Sequence, residues 1–412
     1  MMKRLKRCSS SSLPETIVDY EDILTEILVR VPARILLRFK CVSKHWLSFI
    51  SDPKFCHLHT LRNPKPSTSA VLSNLSRDIG LIPINLDHGR TTSKGSGTPS
   101  CNPLNFIPNQ LCHDNIDIIQ SCNGLFLCHP EIVLPPVIPK SDLARITAPR
   151  YHYVLNPTTN QFTKLVPPAA AAATTNNPRI MGCALAFDPS KSPHYKVVFL
   201  WCVDEPGPSG WCSHHHIEIY SSETKSWRLL NTSFETQGQI CYQSGVYSNG
   251  AVHWVGIYND MAYFHIEEER VGLVDGLPSC EENLFNRDET YFMESSDGHL
   301  HLIDIYLPCF TKFEVLEMGR DYSGWFVKYN VDLDPLCSVY PRIQFFVVLF
   351  LAKGEDEEEC STLLLNAPGK VFYYNLKSNT FKFTDLTLEA GIRISSGVGL
   401  RNHQYVETLA CV

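Results

Sequence analysis

The sequence predicts a small all-α module followed by a large all-β domain, a β-propeller of about six blades. Three observations carry that prediction. Apolar residues recur at helical spacing between residues 22 and 55. Beyond residue 70, turn-forming dipeptides separate short strand-like runs. A strand–turn–aromatic pattern then returns at roughly the length of a propeller blade.

Residues 1–14 carry Lys3-Arg4-Leu5-Lys6-Arg7 and four serines, Ser9 to Ser12. They read as a disordered, solvated tail, with a nuclear address as the alternative for the basic run. Residues 15–60 form the helical module. Asp19 is expected to cap the first helix, with Asp22 at its N3 position. Ile23, Leu24, Ile27, Leu28 and Val31 supply the apolar face. Pro32 ends that helix and suits the first turn of the next. Leu36, Phe39, Val42 and Trp46 continue the stripe. A segment this short cannot make a large core of its own, so it is expected to complete itself against a partner. Residues 61–69, with Asn63-Pro64-Lys65-Pro66, read as a linker.

Residues 70–412 read as the β domain. Asn123-Gly124, Asn249-Gly250 and Asp297-Gly298 are hairpin signals, because these pairs readily take the positive φ values of a type I′ turn. The segments beginning at Leu155, Tyr220 and Tyr374 each run from a strand end through a polar turn to an aromatic (Phe162, Trp227, Phe381). The second gap, divided into three units, gives about 51 residues per unit, near the length of a four-stranded blade. A β-sandwich with similar hairpins is the alternative. A propeller better disposes of sheet edges over so long a run without helices. Ala169 to Ala173, bounded by prolines, read as a loop between blades.

Composition narrows the function. Of 412 residues, 44% are hydrophobic and 19% charged, which suits a folded domain with a sizeable core. The net charge of −7 gives no reason to expect nucleic acid as a partner. No apolar run reaches about 18 residues, so no membrane span is expected. No secretory h-region follows the basic N-terminal residues. The 16 cysteines are scattered, many within apolar runs, and read as reduced thiols in the nucleus or cytoplasm.

Residues 22–55 resemble the F-box: Ile-Leu-x-x-Ile-Leu-x-x-Val-Pro from Ile23 to Pro32, Leu36 four residues on, then Val42-x-Lys44-x-Trp46 and Asp52-Pro53-x-Phe55. The remainder resembles the F-box-associated β domain of plant F-box proteins. Ser121-Cys122-Asn123-Gly124-Leu125, Val154-Leu155-Asn156-Pro157, Ala186-Phe187-Asp188-Pro189, Tyr195-Lys196-Val197-Val198 and Asn249-Gly250-Ala251-Val252-His253-Trp254 carry that resemblance in order. It implies a non-catalytic substrate receptor of an SCF (Skp–cullin–F-box) ubiquitin ligase, with no cofactor or metal. The F-box would dock a Skp-type adaptor, and through it cullin, while the β domain selects a protein target.

The adaptor-facing residues implied are Ile23, Leu24, Ile27, Leu28, Val31, Pro32, Leu36 and Trp46. Sequence alone leaves each divided between contact and internal core; for Val42 internal packing is at least as good a reading. Trp46 is either an interface anchor or the plug of the helical core. One departure stands out. The family places Leu-Pro just before the acidic start of its first helix. Here those positions are Asp19-Tyr20, with Leu13-Pro14 further upstream. That favours a second reading, an F-box-bearing scaffold or regulator outside the ligase.

Three other signals compete. Cys212-Ser213-His214-His215-His216 has metal-ligand residue types, yet neighbours on one strand face diverge, and a polar loop is expected. Glu355-Asp356-Glu357-Glu358-Glu359 and Glu267-Glu268-Glu269 read as solvated loops rather than docking sites for a basic target. Gly-x-Ser-x-Gly, phosphate-binding and His-Glu-x-x-His signatures do not occur.

Overall fold

A computed structural model describes residues 15–63, 70–74, 79–83, 116–130, 151–166, 168, 179–202, 214–235, 240, 242, 245–256, 259–276, 287–295, 298–343, 345–352, 361–367, 370–385 and 402–412. The basic tail, the prolines of the linker, the alanine run, Cys212 and the 355–359 acidic run lie outside the described residues.

Four helices open the chain: α1 (Glu15–Leu28), α2 (Ala33–Phe39), α3 (Lys44–Ile50) and α4 (Pro53–Arg62). Helix α1 begins four residues before Asp19, so Asp19 is not its cap. Pro32 holds the N-cap position of α2 with extended ψ, rather than its first turn. Ser43 caps α3 by accepting from the Trp46 amide. Asp52 caps α4 by accepting from the Lys54 amide, with Pro53 at the position that has no amide to satisfy.

Five four-stranded antiparallel sheets follow, each a meander. The first blade is β3 (Ile116–Cys122), β4 (Leu125–Pro130), β5 (His152–Asn156) and β6 (Gln161–Leu165). The second is β7 (Arg179–Ala186), β8 (Lys196–Cys202), β9 (His214–Ser221) and β10 (Ser226–Glu235). The third is β11 (Val246–Ser248), β12 (Ala251–Val255), β13 (Met261–His265) and β14 (Arg270–Val274). The fourth is β15 (Arg287–Glu294), β16 (Leu300–Tyr306), β17 (Lys312–Met318) and β18 (Trp325–Asp332). The fifth is β19 (Val347–Ala352), β20 (Thr362–Ala367), β21 (Lys370–Asn375) and β22 (Thr380–Asp385). A short helix, α5 (Asp334–Val339), joins the fourth to the fifth.

The expectation of about six repeating blades is corrected to five four-stranded blades. The remaining sheet is three-stranded among the described residues and composite. It pairs β1 (Ala70–Asn74) with β2 (Ile79–Pro83) on one side and β23 (Asn402–Tyr405) on the other. The innermost strands β3, β7, β11, β15, β19 and β23 touch in that cyclic order. The two ends of the β domain therefore close the ring by hydrogen bonding, which removes the open edges a meander would otherwise leave.

The hairpins form where local conformation allows. Asn123 and Gly124 take φ of 47° and 85°, and Asn249 and Gly250 take 49° and 84°. Four blades share a second turn. Residues 157–160, 222–225, 266–269 and 376–379 each end on a left-handed residue: Asn160, Lys225, Glu269 and Asn379. The copy at 266–269 has a polar turn, Glu267-Glu268-Glu269, but Val271 where the others have an aromatic, so the sequence pattern missed it.

Apolar residues of neighbouring blades pack between them rather than within one sheet. Leu125, Val154, Leu185 and Phe199 join the first and second blades. Ala184, Ile217, Val252 and Phe264 join the second and third. Met261, Tyr263, Leu302 and Trp325 join the third and fourth. The closing sheet packs on both its neighbours, through Val71 and Ile82 on one side and Leu72 and Tyr405 on the other.

Candidate functional site

The helical module is built around Leu24, Leu28, Val29, Ala33, Leu36, Ile50, Phe55 and Cys56, all buried. In α1, Leu24 and Leu28 lie one turn apart and point inward. Ile23 and Ile27 precede each by one residue, about 100° around the helix, and stay 60% and 57% exposed. Two long-range bonds tie α4 back to the end of α1. The His59 ring Nε2 donates to the Val31 carbonyl at 2.8 Å, and the Asn63 side chain donates to the Val29 carbonyl at 2.9 Å. Burial lowers the His59 pKa, so the ring is held neutral.

The structure divides the residues that the sequence grouped. Ile23, Ile27 and Pro32 are exposed, Val31 is half-buried, and Leu24, Leu28 and Leu36 are internal. Trp46 is half-buried and meets Phe39 edge-to-face at 5.5 Å, which makes it a lid on the helical core. Val42, which the sequence leaves divided between contact and internal packing, is 63% exposed. Leu47 on α3 and Leu58 and Leu61 on α4 are also exposed. Their i, i+3 spacing at 58 and 61 was available in the sequence but carried no motif.

One core member has no local signal. Leu409 lies beyond β23 and is buried among the apolar side chains of the helical module. Around it, Arg34 pairs with Glu407 at 2.9 Å and stands over the Tyr405 ring at 5.8 Å. The same segment is anchored to the first blade. Asn156 donates from its side-chain amide to the Thr408 and Ala410 carbonyls at 3.1 and 2.8 Å. The Thr158 hydroxyl lies 3.1 Å from the Tyr405 hydroxyl and accepts from the Thr408 amide at 3.2 Å. Gly124 comes so close that an added Cβ would stand 2.5 Å from a Thr408 methyl. Residues 405–412 thus join helices and propeller.

This junction fixes which face the helices occupy. Tyr405, where β23 ends, pairs with Ala70, where β1 begins, on the rim that also holds Gly124 and Thr158. In a meander all first-to-second and third-to-fourth strand turns share that rim. The opposite face receives the second-to-third turns and the connections between blades. Leu307 and α5 lie there, linked by the Thr311 hydroxyl donating to Asp334 at 2.7 Å.

Where the competing signals fall among the described residues, they form no site. His214, His215 and His216 lie in β9, not in the expected polar loop. His214 faces Glu235 at 3.1 Å, His215 stacks on Phe234 at 5.0 Å, and His216 stacks on Trp201 at 4.4 Å. Among the described residues no three His, Cys, Asp or Glu side chains group as metal ligands. Glu267 pairs with Lys196 and Glu269 with Arg228, both across from the third blade to the second, while Glu268 pairs with Arg270 within the third. No helix among the described residues is long and apolar enough to cross a membrane.

Comparison with known proteins agrees with both parts. Residues 20–58 match the F-box domain, and residues 71–290 match the F-box associated beta propeller domain. The chain is similar to F-box protein At5g07610 of Arabidopsis thaliana, 33% identical over 396 residues, covering 90% of this chain and 87% of the relative. F-box/kelch-repeat protein At3g23880 of Arabidopsis thaliana is 25% identical over 241 residues, covering 57% of each. Overlap with solved structures is slight: BBS1N in complex with ARL6DN gives a TM-score of 0.29 at 9% identity, covering 68% of this chain and 67% of that one. F-box proteins are receptor or adaptor subunits rather than catalysts, and this chain is not an enzyme. A helical F-box, a β-propeller closed from both its ends, and these matches together place the chain in the family of F-box proteins with an F-box associated propeller domain.

Proposed function

We propose that the protein is the substrate-recognition subunit of an SCF-type ubiquitin ligase, acting in the nucleus or cytoplasm. Its F-box docks a Skp-type adaptor, and through it cullin. Its propeller selects a protein for ubiquitination. The observation that carries this reading is the exposed Ile23–Ile27 pair on a helix whose other apolar face is fully used. Exposed β-branched side chains one helical turn apart on one helix form the kind of apolar surface that a partner covers. The chain would do no chemistry. It would hold target lysines near a ubiquitin-charged enzyme at high effective concentration.

Target selection is assigned to the propeller face opposite the helices. The F-box side is occupied by its own junction, whereas connections on the far face are free to vary on a rigid scaffold. Exposed Leu307 and Val339 lie on that side.

The test is co-purification of the full chain with a Skp adaptor and cullin, beside an Ile23→Asp, Ile27→Asp variant. Capture of the wild type and loss in a variant that melts normally supports the ligase reading. Absence of capture by a folded wild-type chain refutes it and favours a scaffold outside the ligase. The sequence departure at Asp19-Tyr20 would then be its cause.

A further inference from the structure

We propose that the F-box helices keep their packed, docking-competent form only while the propeller ring is closed, because residues 405–412 serve both structures. The inference rests on the docking role given to those helices and adds a condition to it: a propeller that opens withdraws the adaptor site.

Ring closure and helical core share one short stretch of chain. Strand β23 is held to β1 by the pairing of Asn402 with Ser73, His403 with Leu72, Gln404 with Val71 and Tyr405 with Ala70. Four residues after Tyr405, Leu409 is buried within the helical core. Four residues reach at most about 14 Å when fully extended. The residues between are themselves fixed. Glu407 meets Arg34 of α2 at 2.9 Å, and the Arg34 guanidinium stands over the Tyr405 ring. From the first blade, Asn156 holds the Thr408 and Ala410 carbonyls. The strap has little slack, so parting β23 from β1 draws Leu409 out of the helices.

The helices are poorly placed to lose it. Besides Leu409 their core holds eight buried apolar residues. A module of about 50 residues buries too little surface to be indifferent to one large side chain. Leu24 and Leu28 face that core from α1, and the same helix carries Ile23 and Ile27 on its outside. Close-packed interiors do not leave a void unanswered, so repacking around the space left by Leu409 shifts α1 and with it the docking pair. Linkage runs both ways. An adaptor that binds the packed helices favours the β1–β23 pairing by the same factor. A receptor whose target-binding domain has opened is thereby kept off the ligase.

The test is hydrogen exchange on the full chain, read by mass spectrometry, with Gly124→Ala as the perturbation. The added Cβ would stand 2.5 Å from a Thr408 methyl and 2.6 Å from the Val406 carbonyl, so it presses on the strap from the first blade and not on a helix. Gly298→Ala is the control, a left-handed hairpin glycine of the fourth blade whose Cβ meets nothing nearer than 3.6 Å. In Gly124→Ala, the amides of α1, β1 and β23 should exchange together roughly tenfold faster, while those of β12 and β13 stay as in the wild type. Gly298→Ala should leave α1 within about twofold. Leu409→Ala, which alters the strap alone, should likewise speed α1 and β23 together. If Gly124→Ala does not fold, Glu407→Ala loosens the same strap more gently and takes its place. Isothermal titration of a Skp adaptor should show weaker binding by about threefold or more in Gly124→Ala and none of this in Gly298→Ala. Wild-type exchange in α1 while β1 and β23 open overturns the proposal. So does equal adaptor affinity in the wild type and Gly124→Ala. Coupled exchange in a chain that captures no adaptor refutes the docking role instead and upholds the coupling of helices to ring.

Discussion

Replacing Ile23 and Ile27 together by alanine should weaken adaptor binding without weakening the fold. Full burial of an isoleucine side chain contributes roughly 1.5–3 kcal/mol. Ile23 and Ile27 retain 60% and 57% of their exposure, so covering both would release roughly 2–3.5 kcal/mol. The Cβ that alanine keeps retains about a quarter of this, leaving a loss of roughly 1.5–2.5 kcal/mol. The rigid-body entropy of association is common to wild type and variant and cancels in the comparison. The dissociation constant should therefore rise roughly 10- to 70-fold. Isothermal titration of a Skp adaptor into the full chain reads this directly, beside a thermal melt of each protein. Leu28→Ala is the contrasting control. At 2% exposure Leu28 has no surface to offer a partner, and its truncation should cost about 2–5 kcal/mol of stability instead. An unchanged dissociation constant in a normally folded Ile23→Ala, Ile27→Ala protein would refute the docking face.

Three further outcomes are expected. Burial holds His253 down to about 4, against 6.5 when exposed, so the folded state binds fewer protons than the unfolded chain. Its contribution is full above pH 6.5 and is lost as pH falls from 6.5 through about 4, by roughly 3 kcal/mol at most. His152, also held neutral by burial, acts with the same sign. Denaturant midpoints between pH 7 and 4.5 should fall with pH, and a flat profile would contradict the neutral, buried ring. Gly124→Ala should destabilise by roughly 1–3 kcal/mol more than Gly298→Ala. Both have φ above 80°, but the added Cβ meets Thr408 at 2.5 Å in the first and nothing nearer than 3.6 Å in the second. Equal melting points would deny the close junction. Leu409→Ala should cost about 2–5 kcal/mol in thermal or chemical unfolding. No change would mean that residues beyond β23 do not complete the helical core.

Much of this molecule was legible in its sequence because the relevant forces act locally. Asn-Gly turns need only the conformational preferences of two residues, and Asn123-Gly124 and Asn249-Gly250 turn as expected. The i, i+4 recurrence of Ile23 with Ile27 and of Leu24 with Leu28 is enough to predict a helix, whatever surrounds it. The F-box pattern at 20–58 likewise lies within one short segment. What remained illegible depended on pairings between distant residues. The blade count misled because the last sheet draws β23 from one end of the domain and β1 from the other, pairing Tyr405 with Ala70. Repeat length is silent about such a pairing. The division of the apolar residues of α1 and α2 into core and surface was also tertiary, since periodicity defines a face but not what covers it. Leu409 and α4 take the inner side, leaving Ile23 and Ile27 outside. The burial of Leu409 among the helices has the same origin: closing the ring brings residues beyond β23 onto helices near the start of the chain, a proximity that no local preference encodes.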